Sequence, residues 1–226
     1  MKFKLRRVFS MLRHASVRGH FSQYGEDVHL HKLFRGRRQG FYVDVGAHHP
    51  FHLSNTAYLW MMGWRGINVD ASEAAIAAFA RLRPDDTNLR AAIVDADTAA
   101  SSSEIQFFFS KDIDNCATCD PVLARERGMT QSETVPCRSL AQILDLAARQ
   151  SGGQVDLLNI DIEGLDERAI ADVARWPVLP SVLMIEIYGR TLRDVLASPA
   201  CAALEAAGYA LMERTGHTAI FHRATT

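Results

Sequence analysis

Carboxylates recur at the ends of short apolar runs in this chain. Asp44 closes "FYVD", Asp70 closes "GINVD", Asp95 follows "LRAAIV", Asp161 and Glu163 follow "VDLLNI", and Glu186 falls within "SVLMIEI". One such charge is ordinary solvated surface. A series of them, each at the end of a strand-like run, describes a crevice with hydrogen-bond acceptors on its floor. Gly46 follows the first run, and a residue without a side chain lets backbone approach a ligand closely. Asp70 lies 24 residues beyond Gly46, the place where an acidic side chain accepts hydrogen bonds from ribose hydroxyls. A dinucleotide site would need G-x-G-x-x-G to seat its diphosphate. Here the run is Gly46-Ala47-His48-His49-Pro50, which disfavours a nicotinamide dinucleotide. An adenosine that carries an amino acid needs no diphosphate seat, and S-adenosylmethionine is such a ligand.

The elements that must position these residues alternate from residue 41 onward. "FYVDV", "GINVD", "LRAAIV", "EIQFFF", "VDLLNI" and "SVLMIEI" read as strands. "SNTAYLWMM", "SEAAIAAFARLR", "SLAQILDLAARQ", "DERAIADVARW" and residues 191–207 read as helices. Ser72 and Ser139 are N-cap residues for two of them, and Pro199 and Gly208 break and close the last. "YALMER", a turn at "TGH" and "TAIFH" predict a terminal antiparallel hairpin. Short apolar strands alternating with helices predict a doubly wound α/β fold with a mostly parallel sheet. Residues 110–133 show no period, and we expect an acceptor-side flap there. The expected organisation is a basic arm over residues 1–20 and one domain over 21–226.

Composition sets the frame. The chain has 226 residues, 48% hydrophobic and 23% charged, and its net charge is −1. No apolar run is long enough to span a membrane, no secretory h-region is visible, and four cysteines do not make a disulfide framework, so a cytoplasmic protein is expected. Residues 1–40 carry +8 and the remainder −9. Phe3, Leu5, Val8, Phe9, Met11 and Leu12 alternate with six basic residues in the first nineteen. That is a candidate for peripheral membrane contact, or an arm packed on its own domain or on a second copy. Cys116-x-x-Cys119 lacks the further ligands of a zinc site beyond Cys137 and Cys201.

"FSQYGEDVHL", "GFYVDVGAHHPFHLSNT", "GWRGINVDAS", "RPDDTNLRAAI", "VDLLNIDIEGLDERAI" and "LMIEI" run in order over residues 21–187. In this the chain resembles the FkbM family of S-adenosylmethionine-dependent methyltransferases. The resemblance implies a class I (Rossmann-like) methyltransferase fold and O-methylation, often of a sugar hydroxyl or a glycosylated metabolite. Many relatives have a glycine where this chain has His48-His49-Pro50. Carried onto this sequence, it implies that Asp44, Gly46 and Ala47 line the methionine end of the cofactor and that Asp70 holds the ribose. Ala71 and Ser72 would lie beside the adenine, with Asn88 and Ala92, or Asp95, near its edge. Ser54, Asn55 and Thr56 match the segment after the glycine loop. Gln23, Gly25 and Glu26 match an N-terminal segment over the cofactor.

Methyl transfer to a hydroxyl needs in-line alignment and removal of a proton. Asp161 is expected beside the methyl group, with Glu163 as base or metal ligand. His48 or His49 could serve as the base instead, or be loop residues bonded to backbone. Asp161, Glu163, His48 and His49 together would suit Mg²⁺ or Mn²⁺. Glu186 would orient a sugar or act as a charge partner of a helix N-terminus. Tyr24 and Tyr188 would offer it a stacking surface, whereas Trp60 and Trp64 read as core. The competing functions are an NAD(P)-dependent Rossmann oxidoreductase and a non-catalytic nucleotide-binding module. Nucleic acid is disfavoured as a partner because the body is acidic and shows no aromatic-basic stripe.

Overall fold

The structure, a computed structural model, describes residues 19–110 and 113–223, and of residues 113–116 the backbone alone. The basic arm therefore lies outside the described residues. The first helix, α1 (Glu26–Leu33), precedes β1 (Phe41–Val45), α2 (Ala57–Met61), β2 (Arg65–Asp70), α3 (Glu73–Leu82) and β3 (Thr87–Arg90). Next come β4 (Ala92–Val94), α4 (Ala96–Ser101), β5 (Glu104–Ser110), β6 (Ile113–Thr118), α5 (Pro121–Glu126) and β7 (Gln131–Ser139). The chain continues with α6 (Leu140–Ser151), β8 (Leu157–Ile160), α7 (Asp166–Ala169) and β9 (Val182–Glu186). It ends with α8 (Leu192–Leu196), α9 (Pro199–Ala206), β10 (Tyr209–Thr215) and β11 (Thr218–Arg223).

The main sheet has seven strands in the order β10-β11-β9-β8-β1-β2-β3. From β9 to β3 all neighbours are parallel. β11 is antiparallel to both β9 and β10, so one strand of the seven is reversed. Strand order turns around at β1, with β8 on one side and β2 on the other, and such a switch point opens a crevice at the carboxyl ends.

Both faces of this sheet are buried. Val43, Val45, Ile67, Val69, Leu158, Ile160, Leu183 and Ile185 pack with Leu140, Ile143 and Leu144 of α6 in one cluster. Tyr42, Leu157, Val182 and Met184 pack with Leu30 and Phe34 at α1 and with Leu59 of α2 in another. Alternation along β1 therefore puts Asp44 on the Tyr42 side. Ser72 accepts a hydrogen bond from the Ala75 N–H and starts α3. Ser139 and Gln142 form a capping box at α6, so one residue both closes β7 and opens a helix.

Three elements differ from the sequence reading. "LRAAIV" is two strands: β3 stays in the main sheet, and past Ala91 the chain leaves it as β4. "DERAIADVARW" gives the single turn α7 and a 3-10 turn at Val173–Arg175. Residues 110–133, read as aperiodic, contain β6, α5 and the start of β7. β4, β7, β5 and β6 form a second sheet in that order. Its strands hold Ile105, Phe107, Val135 and Cys137 against Ala71 and Ala92.

Candidate functional site

The carboxyl ends of β1, β2 and β8 converge on a cavity of about 630 Å³. Gln23, Asp44, Gly46, Ala47, His48, His49, Ser54, Asn55, Asp70, Ala71, Ser72, Ala92, Asp161 and Glu163 all line it. Among the described residues, the non-glycine residues with left-handed backbone are His48, Leu53 and Glu163 (φ 53°, 54° and 52°), and all three border this cavity. Strained backbone gathered at one place is a mark of a functional site.

Gly46 does a different job from the one its position suggests. Its φ is 73°, and a Cβ there would lie 1.6 Å from the Asp161 carbonyl oxygen. The glycine is needed first for the β1 and β8 ends to come together, before any ligand arrives. Asp70 holds the loop that follows. Its Oδ2 accepts the His48 N–H at 2.8 Å and its Oδ1 the Ser72 N–H at 2.8 Å. Burial raises its pKa, opposed by these two bonds. Each carboxylate oxygen still has a lone pair for a ligand.

Asp44 is buried in the cavity wall. Its Oδ1 accepts from Asn159 Nδ2 at 2.9 Å and its Oδ2 from the Thr56 hydroxyl at 2.5 Å. Asn159 in turn accepts from Asn55 Nδ2 at 2.9 Å. Asn159 lines the cavity and was not among the expected site residues. The cue was its position on β8, two residues before Asp161. Thr56 does not line the cavity; it stands one layer back.

Asp161 has the most crowded electrostatics. Burial drives its pKa well above the usual carboxylate range, and Glu186, Asp166, Glu163 and Asp44 reinforce the effect by repulsion. Asp166, at the start of α7, accepts the N–H groups of Ile162 and Gly164 (3.1 and 3.2 Å). It thereby shapes the loop after β8, and burial raises its pKa to about 7. Burial likewise raises Glu186, while the Tyr188 hydroxyl, donating at 2.8 Å, lowers it.

Several expected residues stand elsewhere. Asn88 donates to the Arg83 and Asp86 carbonyls and accepts from Asn68, so it faces the interior rather than a purine. Asp95 caps α4 through Thr98 and pairs with Arg168 at 2.8 Å. It borders a smaller cavity of about 320 Å³, which shares Cys119 and Leu165 with the first. Gly25 is the left-handed N-cap of α1, and Glu26 accepts from the Tyr24 N–H at 2.8 Å and the Thr218 hydroxyl at 3.5 Å. Tyr24 and Tyr188 are exposed and flank His217, their rings 6.4 and 5.3 Å from it. With Glu186 they form a surface outside the cavity.

The proposed bases separate by their partners. Glu163 Oε2 pairs with Arg127 at 2.8 Å, and its carbonyl accepts from the Thr118 hydroxyl at 3.0 Å. Both partners belong to the second sheet and its α5 turn, so Glu163 ties that sheet to the β8 loop. His49 Nδ1 accepts from the N–H groups of Phe51 and His52. The neutral ring therefore carries its proton on Nε2, and its lone pair is committed to backbone. Among the described residues, no group of three or more His, Cys, Asp or Glu is disposed to hold a metal ion. Within the expected set of Asp161, Glu163, His48 and His49, Glu163 is engaged by Arg127 and the His49 ring by loop backbone. Burial pushes the Cys119 thiol up to about 12, the reverse of a reactive thiolate. The Cys116 side chain lies outside the described residues. No helix among the described residues is long and apolar enough to cross a membrane.

The chain matches the family described as the methyltransferase FkbM domain over residues 44–211. No curated protein matches it. The match covers β2 to β9, the second sheet and most of the residues that line the cavity, and the chain belongs to the FkbM methyltransferase family.

Proposed function

We propose that this FkbM-family chain is an S-adenosylmethionine-dependent O-methyltransferase of class I architecture. Its acceptor would be a hydroxyl of a sugar, a glycosylated metabolite or a glycolipid. The observation that carries the cofactor assignment is the construction of the cavity around Asp70. A carboxylate with free lone pairs stands at the end of β2, beside a wall of Ala71, Ala74, Ala75, Ala78, Ala91 and Ala92. Small apolar side chains leave a flat slot for a purine, and the carboxylate suits ribose hydroxyls. The backbone past Gly46 is held by Asp70 and His49, which leaves no nest of N–H groups for a diphosphate.

When bound, the cofactor supplies an electrophilic methyl on a sulfonium. The chain's own residues do the rest. Asp44, held by Thr56 and Asn159, places negative charge against the cationic amino-acid end. Asp161 takes the acceptor's proton, a role served by a carboxyl whose proton affinity is raised by burial and by Glu186. Glu163 and Thr118 hold the second sheet over the cavity and exclude water. That sheet is the acceptor-side flap, and the exposed Tyr24, Tyr188 and Glu186 surface receives the distal part of the acceptor.

Isothermal titration with S-adenosylhomocysteine and with NAD tests the cofactor. We expect the first to bind and Asp70→Ala to weaken it by about 10- to 100-fold, since two charge-assisted hydrogen bonds are at stake. Binding of NAD in preference would overturn the reading. Mass spectrometry on glycans incubated with S-adenosylmethionine then seeks a gain of one CH₂, which Asp161→Asn should abolish while cofactor affinity persists.

A further inference from the structure

Arg83 lies at the C-terminal end of α3 and is fully buried. Its guanidinium sits among the rings of Phe79, Phe51 and Trp60, 5.1 to 5.8 Å from their centroids. One nitrogen donates to the Thr56 hydroxyl at 2.9 Å. The other donates to Ser54 at 3.0 Å and to the Pro50 carbonyl. All three partners belong to the loop that runs from the cavity into α2.

The direction of one proton matters here. A guanidinium donates and never accepts. Thr56 Oγ1 spends a lone pair on Arg83 and donates its own proton to Asp44, 2.5 Å away and much nearer than the Ser54 hydroxyl at 3.4 Å. Asn159, whose oxygen already accepts from Asn55, presents its NH₂ to the other Asp44 oxygen. Both Asp44 oxygens thus accept from donors, and these bonds with the Arg83 charge oppose the burial that raises its pKa.

We propose that Arg83 is a positioning residue for the cofactor, acting through Thr56 to keep Asp44 an ionised acceptor facing the cationic end of S-adenosylmethionine. This rests on the cofactor reading above. The charged groups around Asp44 are Arg83 from α3, Asp70 from β2 and Asp161 past β8. Tyr42, one turn of the pleat back on β1, bonds to Asp86 at 2.5 Å and also feels both Arg83 and Asp44. Arg83 is the cation of this group, and its charge acts on Asp44, Asp86 and Tyr42. A buried arginine that merely filled space would not set the proton affinity of a neighbour at the cavity.

The test is the pH dependence of S-adenosylhomocysteine affinity, read by calorimetry from about pH 5.5 to about pH 8, where a perturbed carboxylate titrates. Wild type should lose affinity on the acid side as Asp44 takes a proton. Arg83→Met and Thr56→Val should each move that loss to higher pH by about one unit or more, the usual effect of removing a close opposite charge or donor. Thr56→Ser should restore the wild-type profile. Thr56→Val keeps Arg83 and the shape of the side chain, so it decides the matter if Arg83→Met fails to fold. A uniform loss of affinity with an unmoved profile in Thr56→Val would overturn the proposal and leave Arg83 a structural residue. Absence of binding by the wild type at every pH would instead overturn the cofactor reading itself.

Discussion

Gly46 and Asp161 meet closely enough that the identity of one fixes the backbone of the other. Replacing Gly46 by alanine puts a methyl into the Asp161 carbonyl and forces a side chain into left-handed backbone. We expect a stability loss of at least about 1–3 kcal/mol, read as a lowered denaturation midpoint, together with lost cofactor binding. An unchanged midpoint would mean that the β1 and β8 ends can separate at no cost. Some of this was legible in the sequence. Asp44, Asp70 and Asp161 stood out because each ends an apolar run, and chain order alone brings such ends together in a parallel sheet. Arg83 did not stand out, although it opens the "RPDDTNLRAAI" stretch. Its partners lie 27 to 33 residues upstream, and a lone arginine before a proline reads as a solvated helix end. For His49 the sequence leaves a base and a backbone-bonded loop residue both open, because the backbone donors that engage its ring follow from loop conformation.

Helices with local start signals were legible too, because Ser72 and Ser139 act on N–H groups three residues away. Ser139→Ala should cost about 1 kcal/mol, measurable by urea unfolding, since the Gln142 N–H at the start of α6 loses its acceptor. The second sheet was not legible. β7 reads "QSETVPCRS", and its buried side chains are Val135, Cys137 and Ser139, too sparse a signal to reveal a strand that carries a proline. Tertiary pairing with β5 supplies what the pattern lacks. This sheet meets the β8 loop through the Arg127–Glu163 pair and Thr118. Glu163→Gln should therefore hasten tryptic cleavage at Arg125 or Arg127 in the ligand-free protein, with S-adenosylhomocysteine restoring part of the protection. Identical cleavage rates in the variant and wild type would remove Glu163 as the tie.

Across the molecule, acidic groups dominate the site. Burial raises the pKa of Asp44, Asp70, Asp161, Asp166 and Glu186. A carboxyl raised on folding keeps its proton in the native state to a higher pH than in the unfolded chain. Stability is therefore greatest below the unfolded pKa and declines as pH rises from the unfolded value toward the folded one. For Asp166 that window runs from about 4 to about 7. The slope is at most about 1.4 kcal/mol per pH unit for one group. Scanning calorimetry should give a higher melting temperature near the acid end of this window than at its top for the ligand-free protein, and a higher temperature at the top would contradict it. Vesicle flotation of the full chain and of a chain lacking residues 1–20 tests the expected membrane contact of the basic arm, which predicts flotation of the full chain alone. The departure of the chain at Ala91 has a wider consequence. β4 leads out to the second sheet and β7 leads back, and the two are adjacent parallel strands, Ala92 opposite Cys137 and Val94 opposite Ser139. Departure and return are thus side by side, stitched together independently of whatever lies between them. Residues 95–130 form an excursion whose two ends are held together, so its length can change without parting β4 from β7, while Phe107, Ala117, Thr118 and Cys119 within it carry any such change to the cavity wall.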